Sequence, residues 1–198
     1  LNTFNNQQDE YVEIIPGESY DWFDYPSSGS TTAGQAVNTT ASGSFSISAW
    51  FKTAAKSASE VTSHMGIVSK YIQKTNQKQY NLWINSNGTL RGQCGSANFN
   101  SGKVVTDNQW HHGLLTSDGV QAYLWLDGVF VAYSGITSLH TDHTSSVLIG
   151  ATGSTDIGSG GGDTGTPGNY ALGAFFTGSI NHVSFWNTFL TASVTNNT

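Results

Sequence analysis

Residues 107–131 read DNQWHHGLLTSDGVQAYLWLDGVFV, and this stretch decides the fold. Trp110 to Thr116 alternates around His112 and Leu114. Ala122 to Leu126 alternates again, with Tyr123 and Trp125 on one face and Leu124 and Leu126 on the other. A period of two places successive side chains on opposite faces of a strand. Asp118-Gly119 and Asp127-Gly128 punctuate the runs, and the second joins two β-rich segments with no spacer. Asp-Gly suits a type I′ hairpin turn, whose two central residues both need positive φ. Two such dipeptides within eleven residues predict a β-meander.

The same grammar extends outward. Phe45 to Lys52 (FSISAWFK) alternates strictly, with Phe45, Ile47, Ala49 and Phe51 inward and Ser46, Ser48, Trp50 and Lys52 outward. Trp50 then needs cover from another element, or it lines a groove. Strands are expected at Tyr11–Ile15, Gly66–Ile72, Gln79–Asn85, Thr89–Gly95, Val104–Val105, Val147–Gly150 and Phe176–Trp186, the last with an irregularity near Asn181. Asn87-Gly88 is a further hairpin signal. Residues 26–43, 53–64, 134–146 and the glycine-rich 151–169 read as loops, and Leu190–Thr195 as one helical turn. Short strands with closely spaced turns predict an all-β antiparallel sandwich or jelly roll. A chain of 198 residues fits one domain spanning 1–198.

Charged residues make up 10% of the chain, against about 25% in an average domain, so Ser, Thr, Asn, Gln and Gly must supply the polar surface. This bias suits an extracellular or virion-surface protein. The net charge is −6, and no Lys or Arg follows Lys103. No basic stripe is available to neutralise phosphates, which argues against nucleic-acid binding. No apolar run approaches the roughly 20 residues of a membrane span. Cys94 is the only cysteine, so no intrachain disulfide can form. The chain starts at Leu1 and its one methionine is Met65, which reads as a processed product or an excised piece.

Taken in order, the motifs resemble a known family. FNNQQDEYVEI at 4–14, FSISAWFK, IVSKY at 67–71, YNLWINSNGTL at 80–90, NQWHH followed by YLWLDGVFV, VLIGA at 147–151 and FFTGSINHVSFWNTFLTASVT at 175–195 are similar to the landmark strands of laminin-G-like jelly-roll domains. The resemblance implies the concanavalin A-like lectin/glucanase fold, two antiparallel sheets packed face to face. Its members bind glycans, proteins or lipids or serve as adhesive modules. Many carry calcium, and a few relatives are glycosidases. Asp9 and Glu10 match one place where the family supplies calcium oxygens. Asn181 matches the other, where a carboxylate is common. The resemblance therefore implies a calcium ion near Asp9, Glu10 and Asn181, weakened by the neutral side chain at 181.

Several clusters could carry function. Tyr20, Trp22, Phe23 and Tyr25 stand beside Glu18, Asp21 and Asp24 in ESYDWFDY. Aromatic faces stack on sugar C–H faces and carboxylates accept hydroxyl hydrogen bonds, so this mixture and Trp50 are the candidate glycan- or partner-binding residues. The same aromatics could instead pack on the sheet or on a neighbouring subunit. His111 and His112 point to opposite faces, which favours a strand anchor with one hydrogen-bonded histidine over a metal site. His140, Asp142 and His143 form a weak metal pattern, as do Asp156 and Asp163 in the glycine-rich loop. Glycosidases need paired carboxylates at about 5–9.5 Å. The Glu-x-Asp-x-x-Glu strand used by glucanases of this fold is absent. Cys94 is expected to be a small buried residue.

The expectation is a non-catalytic recognition or adhesion module on a cell or virus-particle surface. It would bind a glycan or surface protein, with calcium as a possible cofactor. A structural coat, fibre or decoration subunit that forms homo-oligomers is the alternative, and a polysaccharide hydrolase or lyase the third.

Overall fold

Alternating apolar and small polar residues leave these segments one way to bury a face, which is to pair as sheets and stack. The computed structural model describes residues 2–4, 12–14, 44–54, 64–72, 77–137, 147–153, 172–186 and 188–190. In chain order the strands are β1 (Asn2–Phe4), β2 (Val12–Ile14), β3 (Phe45–Ala54), β4 (Met65–Ile72), β5 (Gln77–Ile84), β6 (Thr89–Cys94) and β7 (Ala97–Val104). They continue with β8 (Asp107–Ser117), β9 (Gln121–Leu126), β10 (Val129–Gly135), β11 (Val147–Ile149), β12 (Thr152–Gly153), β13 (Leu172–Gly173) and β14 (Gly178–Trp186).

The first sheet runs β1-β14-β3-β8-β9-β10, antiparallel throughout. The second runs β13-β12-β4-β5-β6-β7, with β11 pairing both β4 and β2. Its one parallel contact joins Gly153 to Ile72. Phe45, Ile47, Ala49, Phe51, Leu115 and Leu124 of the first sheet meet Ile67, Tyr80, Leu82, Ile84, Leu90 and Phe99 of the second in one buried cluster. Gly92 of β6 lets the sheets close here. A Cβ at 92 would sit 2.8 Å from Phe99 Cε2 and 3.2 Å from Leu115 Cδ1. Among the described residues no helix is long and apolar enough to cross a membrane.

The meander forms as the sequence dictates. Asp127 and Gly128 have φ of 51° and 77°, both positive as a type I′ turn requires. The other two signals fold differently. At Asp118-Gly119 and Asn87-Gly88 only the glycine is positive, at 91° and 80°. Both make longer loops braced by the acid or amide. Asp118 Oδ1 accepts from the backbone N–H of Val120 and Gln121 at 2.8 and 2.7 Å, and Asn87 Oδ1 from the Thr89 hydroxyl at 2.7 Å.

Some boundaries move. Residues 97–104 form all of β7 rather than a short strand at Val104–Val105, and β10 runs on through Gly135. The sequence signal for β7 is Gly95-Ser96, a two-residue hairpin link whose glycine has φ of 54°. The last strand starts at Gly178, and its expected irregularity is a register shift between Asn181 and Ser184, with His182 at φ 48°. Leu190 is not helical, and the rest of the turn expected at Leu190–Thr195 lies outside the described residues.

Candidate functional site

Strand parity leaves one set of side chains facing the core and the other set free. On the first sheet the free set is unusually aromatic. In β9, Ala122, Leu124 and Leu126 are buried while Tyr123 and Trp125 face out. In β3 the outward residues are Ser46, Ser48, Trp50 and Lys52. Cross-strand register places Trp50 between His112 and Asn181, and Ser48 between Leu114 and Ser184. Trp125 lies opposite Leu114, and Trp186 opposite Ser46.

These residues enclose a groove of about 570 Å³ lined by Ser48, Trp50, Trp110, His112, Leu114, Trp125, Asp127, Gly128, Trp186 and Leu190. Ser48 and Leu114 form its floor. Leu114 is buried on the face away from the core cluster, under the groove's own walls. Trp50, Trp110 and Trp186 are 42%, 39% and 37% exposed. No ring contact joins any two of the four indoles among the described residues. Neighbouring strands lie about 4.8 Å apart and alternate residues about 6.8 Å, so Trp50 and Trp125 stand roughly 12 Å apart and Trp50 and Trp186 roughly 14 Å. Trp50 leans on the His112 ring, with centroids 5.2 Å apart and planes at 44°. The aromatic face continues beyond Trp125 onto Phe130, Tyr123, Tyr133 and Phe189.

A strap closes one end. Residues 188–190 cross the sheet and are pinned by two buried hydroxyls. Ser46 Oγ bonds the Thr188 carbonyl at 2.8 Å, accepts from the Leu190 N–H at 3.0 Å and lies 2.7 Å from Thr116 Oγ1. This sets Leu190 as a groove wall and places the Phe189 ring 5.3 Å from that of Tyr123.

A charged clamp fixes the other end. Asp127 Oδ1 accepts from the His112 backbone N–H at 2.8 Å, and Oδ2 lies 2.8 Å from His111 Nδ1. His111 Nε2 faces Asp107 Oδ1 at 3.0 Å. A ring with a carboxylate at each nitrogen donates from both only as the imidazolium. Burial works against that charge, and the hydrogen bonds to Asp127 and Asp107 outweigh it, so the His111 pKa is raised. Asp107 is held below the usual carboxylate range by the Gln109 backbone N–H and then by His111. His112 faces the groove, and burial lowers its pKa against the opposing pull of Asp127. The two histidines thus divide as strand parity predicts, one an anchor and one a groove wall.

Among the expected site residues, Trp50 is in the groove. Tyr20, Trp22, Phe23 and Tyr25 lie outside the described residues, as do Asp9, Glu10, His140, Asp142, His143, Asp156 and Asp163. Asn181 stands on the groove face beside Trp50, and its Oδ1 already accepts from the His182 N–H at 2.9 Å. No group of three metal-ligating His, Cys, Asp or Glu side chains occurs among the described residues. Trp110, Trp125 and Trp186 were not singled out as site residues by the sequence reading. The signal was available in the outward parity of β9 and β14.

The architecture is that of an antiparallel β-sandwich carrying an aromatic groove on the outer face of one sheet. The chain belongs to the concanavalin A-like lectin/glucanases superfamily, whose model matches residues 24–194. Among solved structures, it is similar to the binding domain of Paraclostridial Mosquitocidal Protein 1, at 10% identity and a TM-score of 0.57 over 98% of this chain and 41% of that one. A Bacteroides ovatus protein assigned to carbohydrate binding aligns at 14% identity and TM-score 0.56, over 98% and 45% of the two chains. A mutant of Trypanosoma rangeli sialidase displaying trans-sialidase activity aligns at 16% and 0.51, over 78% and 22%. The chain thus spans less than half the length of each of these structures, and at such identities the likeness shows the fold. No curated protein matches the chain in sequence.

Proposed function

We propose that the chain is a non-catalytic glycan-binding module acting at an extracellular or virion surface, and that its site is the groove between Trp50, Trp110, Trp125 and Trp186. The observation that carries this is the spacing of the indoles. They do not stack on one another, and they surround a floor of one hydroxyl and one leucine. Each can take the C–H face of a sugar while Ser48, His112 and Asn181 offer polar partners to its hydroxyls. A lipid pocket would be walled by aliphatic side chains, and among the described lining residues only Leu114 and Leu190 are aliphatic. The fold-level likeness to a carbohydrate-binding protein and to a toxin binding domain agrees with this reading.

The sialidase neighbour and the glucanase members of the superfamily raise catalysis as a contrary reading. Among the described residues Asp127 is the only carboxylate lining the groove, and both its oxygens are held by the His111–His112 pair. A paired acid and base would need a second facing carboxylate. Calcium near Asp9, Glu10 and Asn181 is a separate proposal. The described member, Asn181, offers one partly committed oxygen and no charge, so no part of the groove's action is routed through a metal.

One observation favours assembly as a second role. β10 is an edge strand without Lys or Pro, and Val129, Phe130 and Tyr133 on it are 63%, 45% and 60% exposed. Unprotected edges invite pairing with another chain.

The test is a glycan-array screen of the whole chain with calcium and with chelator, repeated with Trp50→Ala, Trp125→Ala and Trp22→Ala, with the solution mass recorded. Selective binding lost in the first two variants supports the groove. Loss only in Trp22→Ala moves the site to the 18–25 segment. No binding together with a large defined oligomer favours the structural subunit.

A further inference from the structure

We infer that the groove is built for uncharged saccharides and discriminates against acidic ones such as sialylated, sulphated or uronate-containing chains. This deepens the glycan reading above and rests on it. The inference follows from the charges around the groove. Acidic glycans are held by Arg or Lys, whose donors match carboxylate and sulphate oxygens. Among the described residues no Lys or Arg lines this groove. Lys52 is the described cation on that face; it is outside the lining but stands at the groove's margin, directly across from Trp110 and two residues on from Trp50.

The anionic side is balanced as well. Among the described lining residues Asp127 carries the only formal charge. Its carboxylate faces the His111 ring at 2.8 Å and takes the His112 N–H at 2.8 Å. Asp107 closes the far side of His111 at 3.0 Å. The groove's one carboxylate is therefore already turned to a partner within the protein, which leaves little to attract a cationic ligand. The remaining lining is indole, hydroxyl, a neutral imidazole and leucine. An acidic sugar entering it would lose water and meet Asp127 with no cation to replace its hydration, which is a cost without compensation. An uncharged sugar loses only hydroxyl hydration, and Ser48 and His112 can replace part of it while the indoles cover its apolar face.

The experiment measures binding of the whole chain near neutral pH to matched neutral and acidic glycans, with glucans, mannans and galactans against sialylated, sulphated and uronate-bearing chains. Each is read at low and at high salt, with wild type and Lys52→Ala. The expected result is retention of at least one neutral class at least about tenfold more tightly than its acidic counterparts. That affinity should change less than about twofold with salt, because no ion pair forms for salt to screen. Lys52→Ala should leave it unchanged. Preference for acidic chains, or binding that fades with salt or with Lys52→Ala, overturns the inference and leaves the glycan reading standing. Capture of no glycan of either kind overturns both.

Discussion

Asp127→Asn separates the charge of the clamp from its geometry. Asn-Gly is as well suited as Asp-Gly to the type I′ turn at 127–128, where φ is positive at both residues. The amide oxygen can still accept from the His112 N–H, now at 2.8 Å from Asp127 Oδ1. What is removed is the acceptor and charge at His111, where the amide NH2 stands in place of Oδ2 and cannot accept from the Nδ1–H. A hydrogen bond to a charged group contributes about 1.5–3 kcal/mol. Here the His111 side chain is 13% exposed and that of Asp127 46%, so solvent screening brings the expected loss down to about 1 kcal/mol. For a chain of this size that is roughly 2–4 °C in Tm. With a urea slope near 2 kcal/mol/M it is about 0.5 M in the unfolding midpoint. The pH dependence gives the sharper signature. Because the His111 pKa is raised in the fold, its contribution is full below the unfolded value of about 6.5 and is lost as pH climbs through the folded value. Urea unfolding from about pH 6 to about pH 9 should therefore show wild type and variant furthest apart at the acid end and converging at the alkaline end. A gap that is constant across this range, or one that widens with pH, would refute the clamp.

In an NMR titration the His111 ring should titrate above the ordinary histidine value and His112 below it, since carboxylates hold the first charged and burial holds the second neutral; the reverse order contradicts the assignment. Ser46→Ala removes the hydroxyl that ties Thr188 and Leu190 to the sheet, and should cost about 1–3 kcal/mol and expose the strap to protease; unchanged Tm and cleavage would show that the strap is held otherwise. Gly92→Ala places a methyl 2.8 Å from Phe99 Cε2 and should destabilise by about 1–3 kcal/mol in chemical denaturation. Cys94 is wholly buried, with burial pushing its thiol up to about 12 against the weaker pull of a Ser117 hydrogen bond. A thiol reagent should therefore label it only at the rate of unfolding, and fast labelling of the folded chain would mean the second sheet opens locally.

The fold was legible because the first sheet obeys a period of two with little interruption. Phe45 to Phe51 inward, and Leu124 and Leu126 against Tyr123 and Trp125, required only parity to assign. β7 was harder to see, because ANFNSGKV alternates Ala, Phe and Ser against polar residues and offers little hydrophobic contrast. The groove was half legible. Trp50 broke the expected outward polarity of β3 and so drew attention by itself. Trp110, Trp125 and Trp186 come from three further strands, and what brings them beside Trp50 is the β14–β3 and β3–β8 register, between strands far apart in sequence. Nor does local pattern reveal that Ser46 and Thr116 pin residues 188–190, since hydroxyls 70 residues apart carry no shared signal.

The placement of the groove follows from how a sandwich divides its side chains. Each strand of the first sheet gives one parity to the core, and core packing constrains those positions tightly. The other parity is free of that demand, so which side chains stand there is set by what covers the outer face. Trp50, Trp110 and Trp186 keep over a third of their surface in water, although the same sheet has room for polar residues at Ser46, Ser48 and Ser184. The strap and the clamp have the same logic. Ser46 and Thr116 hold a chain segment across an otherwise flat sheet and turn it into a walled groove. Asp127 meanwhile fixes the hairpin, the His112 backbone and the His111 ring together. Both devices shape the outer face, and the clamp ties it to the core as well, since the His111 ring lies 5.9 Å from that of the buried Phe51.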